Sequence, residues 1–211
     1  MIRYMTPDAL DAAPELARSM FRDRAAQFRD RLGWDVQVDA AGEERDAYDD
    51  AAPLYVLWQG RDGAHGGSMR FLPTSGKTMV NDHFRHLVDG MWLASADTWE
   101  CSRFCLAASA GRAVAPALLL GALELGLACG LRHALGVFDL RMLRVYRRLG
   151  WMPTVLGAAR PGKAAVGVGL WTFDAAWRDG LMLRAGVDRS TLAGWRAECD
   201  AALVRLRPTR R

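Results

Sequence analysis

The chain has 211 residues, 51% of them hydrophobic and 25% charged, with a formal net charge of +4. That is enough apolar material for one well-buried domain, and the mild positive excess suits an acidic partner or a nucleotide-bearing substrate. The start M-I-R-Y-M-T-P-D has no secretion-type apolar core, the most apolar run (113–129) is too short to span a membrane and carries Glu124, and the four cysteines show neither C-x-x-C pairing nor zinc spacing. These features argue against export, membrane insertion, a disulfide framework and a metal site, and lead us to expect reduced thiols in a cytoplasmic protein.

Leu16, Met20, Arg24, Phe28 and Leu32 recur every fourth residue, which predicts a helix over 14–32 with Pro14 in its first turn and Gly33 as its stop. Arg24 interrupts that apolar stripe. Its guanidinium either reaches past the core or meets a carboxylate, for which Asp46 and Asp49 are the candidates. Residues 36–52 are polar and read as an extended loop, of a length that often forms a lid or binding segment. Strands over 54–58 and 68–72, joined by a turn at 61–67, form a hairpin. Alternation puts Met69 and Phe71 on one face of the second strand and Arg70 on the other, with Ser68 and Leu72, until Pro73 ends the pairing.

Asn81 or Asp82 is placed to cap a short helix running to Leu87. A strand follows over 99–106, then an apolar helix over 112–129, closed by Gly130 and packed on most sides. Next come a strand over 133–138, a helix over 140–149 capped by Asp139 and ended by Gly150, and strands over 154–158 and 164–173. Asp174 and Asp188 open two terminal helices. The order predicts one α/β domain over 1–211: a mixed β-sheet flanked by helices, with a single ligand crevice and a mobile N-terminal arm and loop over about 1–52.

In a regular strand Glu100 and Arg103 would lie on opposite faces, so both can serve one site only if the strand is bulged. We expect a bulge between Glu100 and Phe104. In the simpler alternative Glu100 pairs with an arginine across the sheet. Basic residues cluster at Arg141, Arg144, Arg147 and Arg148, and again in the tail at Arg205, Arg207, Arg210 and Arg211. Helical spacing puts at least three of the first group on one face, whereas the tail reads as a frayed end.

Four motifs occur in order: R-x-x-x-F-x-x-x-x-x-W (Arg24, Phe28, Trp34), E-x-D-x-Y-D (Glu44, Asp46, Tyr48, Asp49), G-S-x-R-x-L-P-T (Gly67 to Thr74) and E-x-S-R-F (Glu100, Ser102, Arg103, Phe104). Together they closely resemble the LuxI-type autoinducer synthases, the acyl-homoserine-lactone synthases of bacterial quorum sensing. The resemblance is dense over the first half of the chain and rests on element order beyond Ala108. It implies a fold like that of the N-acetyltransferases. It also implies a reaction in which a fatty acyl thioester, on acyl carrier protein or coenzyme A, acylates the amine of S-adenosylmethionine. Lactone closure then releases methylthioadenosine. S-adenosylmethionine is a substrate, and no cofactor is implied.

On that resemblance Glu100, Arg70 and Arg103 are the catalytic candidates, with Glu100 as base directly or through one water. Arg24, Phe28, Trp34, Asp46, Asp49 and Phe104 form the S-adenosylmethionine and N-terminal pocket. An arginine can grip the substrate carboxylate, and the rings can pack on adenine or the sulfonium. Asp46–Arg70 and Asp49–Arg24 pairs would serve as scaffold or as ligand contacts. Met79, Phe84, Leu118, Leu119, Leu123 and Val137 are candidate walls of an acyl tunnel. The strand L-G-V-F lacks the hydroxyl residue that 3-oxo-preferring members tend to carry, which leans against a 3-oxo chain. Arg144, Arg147 and Arg148 are assigned to docking an acidic carrier protein. Two other functions compete. An ordinary acetyl-coenzyme A-dependent acetyltransferase needs a glycine-rich pyrophosphate turn that A-A-S-A-G-R-A-V-A-P matches poorly. A nucleic-acid-binding protein lacks any helix-turn-helix or aromatic platform here.

Overall fold

The computed structural model describes residues 1–159 and 165–206. Ala164, the predicted start of the last strand, and Arg207, Arg210 and Arg211 of the basic tail lie outside them. Seven strands form one sheet: β1 (Ile2–Met5), β2 (Leu54–Gln59), β3 (His65–Pro73), β4 (Thr98–Leu106), β5 (His133–Asp139), β6 (Thr154–Ala158) and β7 (Val166–Thr172). Their spatial order is β1-β2-β3-β4-β5-β7-β6. All neighbours are antiparallel except β4 and β5, which run parallel and pair only from Thr98↔His133 to Glu100↔Leu135. Beyond Glu100 the two central strands part, leaving a wedge in the sheet.

The helices are α1 (Pro7–Asp11), α2 (Pro14–Ala25), α3 (Met79–His83), α4 (Val114–Ala128), α5 (Met142–Leu149), α6 (Arg178–Ala185) and α7 (Arg189–Leu206). The main core lies on the sheet face covered by α4, α6 and α7, where Leu118, Leu120 and Leu123 meet Val56, Met69 and Phe71. Helix α4 is apolar nearly all round because neighbours surround it. Its one acid, Glu124, is buried against Arg178 at 2.6 Å. On the opposite face α1 and α2 cover Tyr55 and Leu57. Farther along that face, α3 and a 3-10 turn, Arg85–Val88, cover Leu135 and Val168. No helix of the described residues is long and apolar enough to cross a membrane.

Three local features differ from the sequence reading. The edge strand β1 and the short α1 were not anticipated, since four or five residues carry too little periodicity. The helix predicted over 14–32 is α-helical only to Ala25. Residues Ala26–Arg31 then form a π-helix, whose wider ring suits a side chain that must be re-aimed. The helix expected to start at Asn81 or Asp82 starts earlier, with Thr78 as its cap. Asn81 instead ties down Leu93, bonding both its N–H and its carbonyl at 2.9 Å.

Candidate active site

The site is built on a defect in β4. Ser68 pairs with Cys105 and Arg70 with Ser102, so Met69 alone faces both Arg103 and Phe104. This is the bulge expected between Glu100 and Phe104. Arg103 takes a left-handed backbone, φ 53°, a conformation that costs a non-glycine residue about 1 kcal/mol or more. The turn aims Arg103 at Asp46, which Arg70 also reaches, and at Glu44.

Those carboxylates come from the polar loop after α2. Arg24, almost fully buried, forks onto Asp49 at 2.9 and 3.0 Å and bonds Glu44 through Nε at 2.6 Å. Arg70 bonds Asp46 through both Nη atoms, Asp49 at 2.8 Å and Ser102 at 3.1 Å. Arg103 holds Glu44 at 2.8 Å and Asp46 at 2.7 Å. Tyr55 adds a 2.8 Å hydrogen bond to Asp49. Three guanidiniums thus face three carboxylates, and the interlocked set ties α2, the loop, β3 and β4 together. Burial alone would push the Asp49 carboxyl up, but Arg24 and Arg70 hold it well below the usual carboxylate range. Arg70 and Arg103 do the same for Asp46. One donor stands outside this arrangement. Among the described residues Nη1 of Arg103 has as its acceptor only the Met79 sulfur, 3.4 Å away.

Glu100 is 1% exposed, and no arginine among the described residues pairs with it. Its two oxygens accept the backbone N–H groups of Met79 at 2.9 Å and Val80 at 2.7 Å, the first two residues of α3. It therefore anchors that helix to the central strand as a distant cap. Burial raises its carboxyl to about 7, against the opposing pull of the two N–H donors. A carboxyl near neutrality suits a proton acceptor.

Phe28 and Trp34 stack at 5.2 Å with planes 17° apart, and Arg103 lies over the Phe28 ring at 5.3 Å. The π-helix and Gly33 (φ 66°) deliver this pair to the edge of the charged network. Behind the bulge a cavity of about 60 Å³ enters the wedge between β4 and β5. Ser102, Arg103 and Phe104 form one end of its lining. Leu119, Val137, Tyr146, Trp151, Trp171 and Phe173 line the rest. Of the tunnel walls proposed from sequence, Leu119 and Val137 line this cavity. Leu118 and Leu123 do not; both are wholly buried in the main core. Phe84 packs in the small cluster under the 3-10 turn, and Met79 turns its sulfur to Arg70 and Arg103.

The sequence profile of the autoinducer synthases matches residues 10–175. This chain belongs to the autoinducer synthase family. An acyl-homoserine-lactone synthase from Rhizobium etli is 46% identical over 183 residues, covering 83% of this synthase and 85% of the relative. Among solved structures, TofI, crystallised with an inhibitor and MTA, is 27% identical with a TM-score of 0.68, covering 84% of this chain and 93% of its own. The fold extends more widely. An N-acetyltransferase-type protein from Lactobacillus plantarum aligns with a TM-score of 0.54 at 16% identity, over 82% of this chain and 99% of its own.

Sequence reasoning gave no role in this synthase to Glu44, which is fully buried and grips both Arg24 and Arg103. Its place in E-x-D-x-Y-D was the available signal. Tyr146 and Trp171 were missed as well, because a ring on a helix or strand face looks like ordinary core. The basic face is where it was expected. Arg144, Arg147 and Arg148 are exposed on α5, while Arg141 is drawn back to Asp139.

Proposed function

We propose that this synthase acylates S-adenosylmethionine with a fatty acyl thioester and closes the product to an acyl-homoserine lactone, releasing methylthioadenosine. The observation that supports it best is the junction of two unlike spaces at one bulge. A charged network with stacked aromatics at its edge lies on one side of Arg103, and an apolar cavity lies on the other. The sulfonium and adenine fit the Phe28–Trp34 side, where a cation can lie on aromatic faces. The acyl chain fits the wedge between β4 and β5.

Nη1 of Arg103 is the seat for the substrate carboxylate, since a carboxylate is a far better acceptor than the thioether now facing it. Glu100 takes the amine proton, through a water because its carboxylate is enclosed. The amine then attacks the thioester carbonyl, the C–N bond forms, and the thiol leaves. In the second step the carboxylate oxygen attacks the carbon beside sulfur and the C–S bond breaks. The sulfonium is already a leaving group, so this step depends mainly on a held, curled geometry and draws on no cofactor.

The donor is carried by acyl carrier protein or by coenzyme A. The exposed arginines of α5 support the carrier protein, because the same helix turns Tyr146 into the cavity. An acidic carrier docked there would present its thioester at the wedge. Incubation with S-adenosylmethionine and a panel of acyl thioesters, read by mass spectrometry, tests the proposal. Lactone together with methylthioadenosine is the expected result. Acetyl transfer from acetyl-coenzyme A without use of S-adenosylmethionine would replace the proposal with the acetyltransferase reading.

A further inference from the structure

The cavity between β4 and β5 is lined mainly by carbon, yet two polar groups in its wall have no partner among the described residues. Among the described residues, the indole N–H of Trp171 is the one buried side-chain nitrogen or oxygen without a hydrogen bond. Tyr146, 5% exposed, has a hydroxyl that bonds no described residue; burial and the nearby Cys101 thiol are what act on it. The chain's other tyrosines are not treated this way. The hydroxyls of Tyr4, Tyr48 and Tyr55 bond Gly121 O, Asp82 and Asp49 at 2.8–2.9 Å. Trp151, in the same cavity wall, donates to Thr172 O at 3.1 Å.

The two unpaired donors are neighbours. The Tyr146 and Trp171 rings meet edge to face with centroids 5.2 Å apart. The Trp171 ring also borders Gly136, where an added Cβ would come within 2.9 Å of the Cys101 carbonyl oxygen, close to where β4 and β5 part. A buried donor left unmatched, as the Trp171 N–H is, costs about 1–3 kcal/mol, and the cavity that this N–H shares with the unpartnered Tyr146 hydroxyl leaves both open to an acceptor from outside the chain. An unsubstituted hydrocarbon offers none. We propose that this cavity selects an acyl chain bearing oxygen, as an oxo or hydroxyl group, within its first few carbons, with Tyr146 and Trp171 as the donors that read it. The proposal rests on the acyl-transfer reading above. It runs against the sequence expectation drawn from L-G-V-F: β5 supplies no hydroxyl, and α5 and β7 supply the donors instead.

The test compares acyl thioesters of one chain length in three forms: unsubstituted, 3-oxo and 3-hydroxy. Wild-type enzyme is expected to show a kcat/KM for one oxygenated form at least about tenfold above the unsubstituted form, the scale of one buried hydrogen bond. Tyr146→Phe and Trp171→Phe should each lower kcat/KM for the oxygenated donor about tenfold while changing the unsubstituted donor less than about threefold. Which oxygenated form responds identifies the group that is read. A wild-type preference for the unsubstituted donor, or equal losses for all donors in both variants, would overturn the proposal. Absence of lactone from every donor would instead remove the acyl-transfer reading beneath it.

Discussion

Glu100 joins two roles that would usually conflict. Its carboxylate caps α3 through Met79 N and Val80 N, yet burial holds it near neutrality. If it takes the amine proton, kcat/KM should rise with pH through about 7. Glu100→Gln should remove that limb and cost roughly a hundredfold to ten-thousandfold in rate; a pH–rate profile of both proteins checks this. Stability carries the opposite slope. The folded carboxyl titrates above its ordinary 4.5, so the stabilisation is complete below that value and is lost as pH rises toward about 7. Urea unfolding across that window should show the slope in wild type and its absence in Glu100→Gln. Glu44 calls for a different expectation. Among the described residues it is the partner of Arg24 Nε and one of two carboxylates on Arg103, so Glu44→Ala leaves Arg24 with Asp49 alone and Arg103 with Asp46 alone. About 3–5 kcal/mol of stability should be lost, measured by urea denaturation.

At the scale of elements, the bulge in β4 and the π-helix after α2 do the same work from two sides. Each departs from a regular period, and each turns a side chain toward the cleft, Arg103 in one case and Phe28 in the other. Helix α5 is the next such unit, with basic residues outward and Tyr146 inward. Charge reversal at Arg144 and Arg147 should raise KM for a carrier-protein donor at least several-fold and leave KM for the matching coenzyme A donor unchanged. Steady-state kinetics with both donors tests the docking assignment. Strand β6 depends on a close approach. A Cβ on Gly157 would sit 1.7 Å from the carbonyl oxygen of Leu87 in the 3-10 turn, and backbone cannot yield as a flexible side chain can. Gly157→Ala should therefore cost about 1–3 kcal/mol, read as a lowered Tm.

For the whole molecule, the wedge between β4 and β5 is the decisive feature, because it joins the charged cleft to the apolar cavity. The polar loop after α2 is bound to α2, β3 and β4 through ion pairs, so its attachment should be sensitive to acid. Asp46 and Asp49 titrate below their ordinary 3.8; their stabilisation is complete above that value and fades as pH falls beneath it. Much of the molecule was legible in advance. The apolar period of α4, the alternation in β3, and Gly33 and Gly150 as helix stops are local signals that burial and backbone geometry impose directly. The bulge could be inferred as well, since Glu100 and Arg103 cannot otherwise face one site. Pairings between distant segments were not legible. That Glu44 would grip Arg103, that Leu118 and Leu123 would be core while Leu119 lines the cavity, and that Tyr146 and Trp171 would be left unpaired all depend on which faces meet. The sequence by itself determined most of the elements, the family and most of the charged residues of the site, because periodicity and motif spacing are properties of the chain alone. The tertiary structure alone decided partners and vacancies, because a hydrogen bond or a cavity exists only once separate segments are packed against one another.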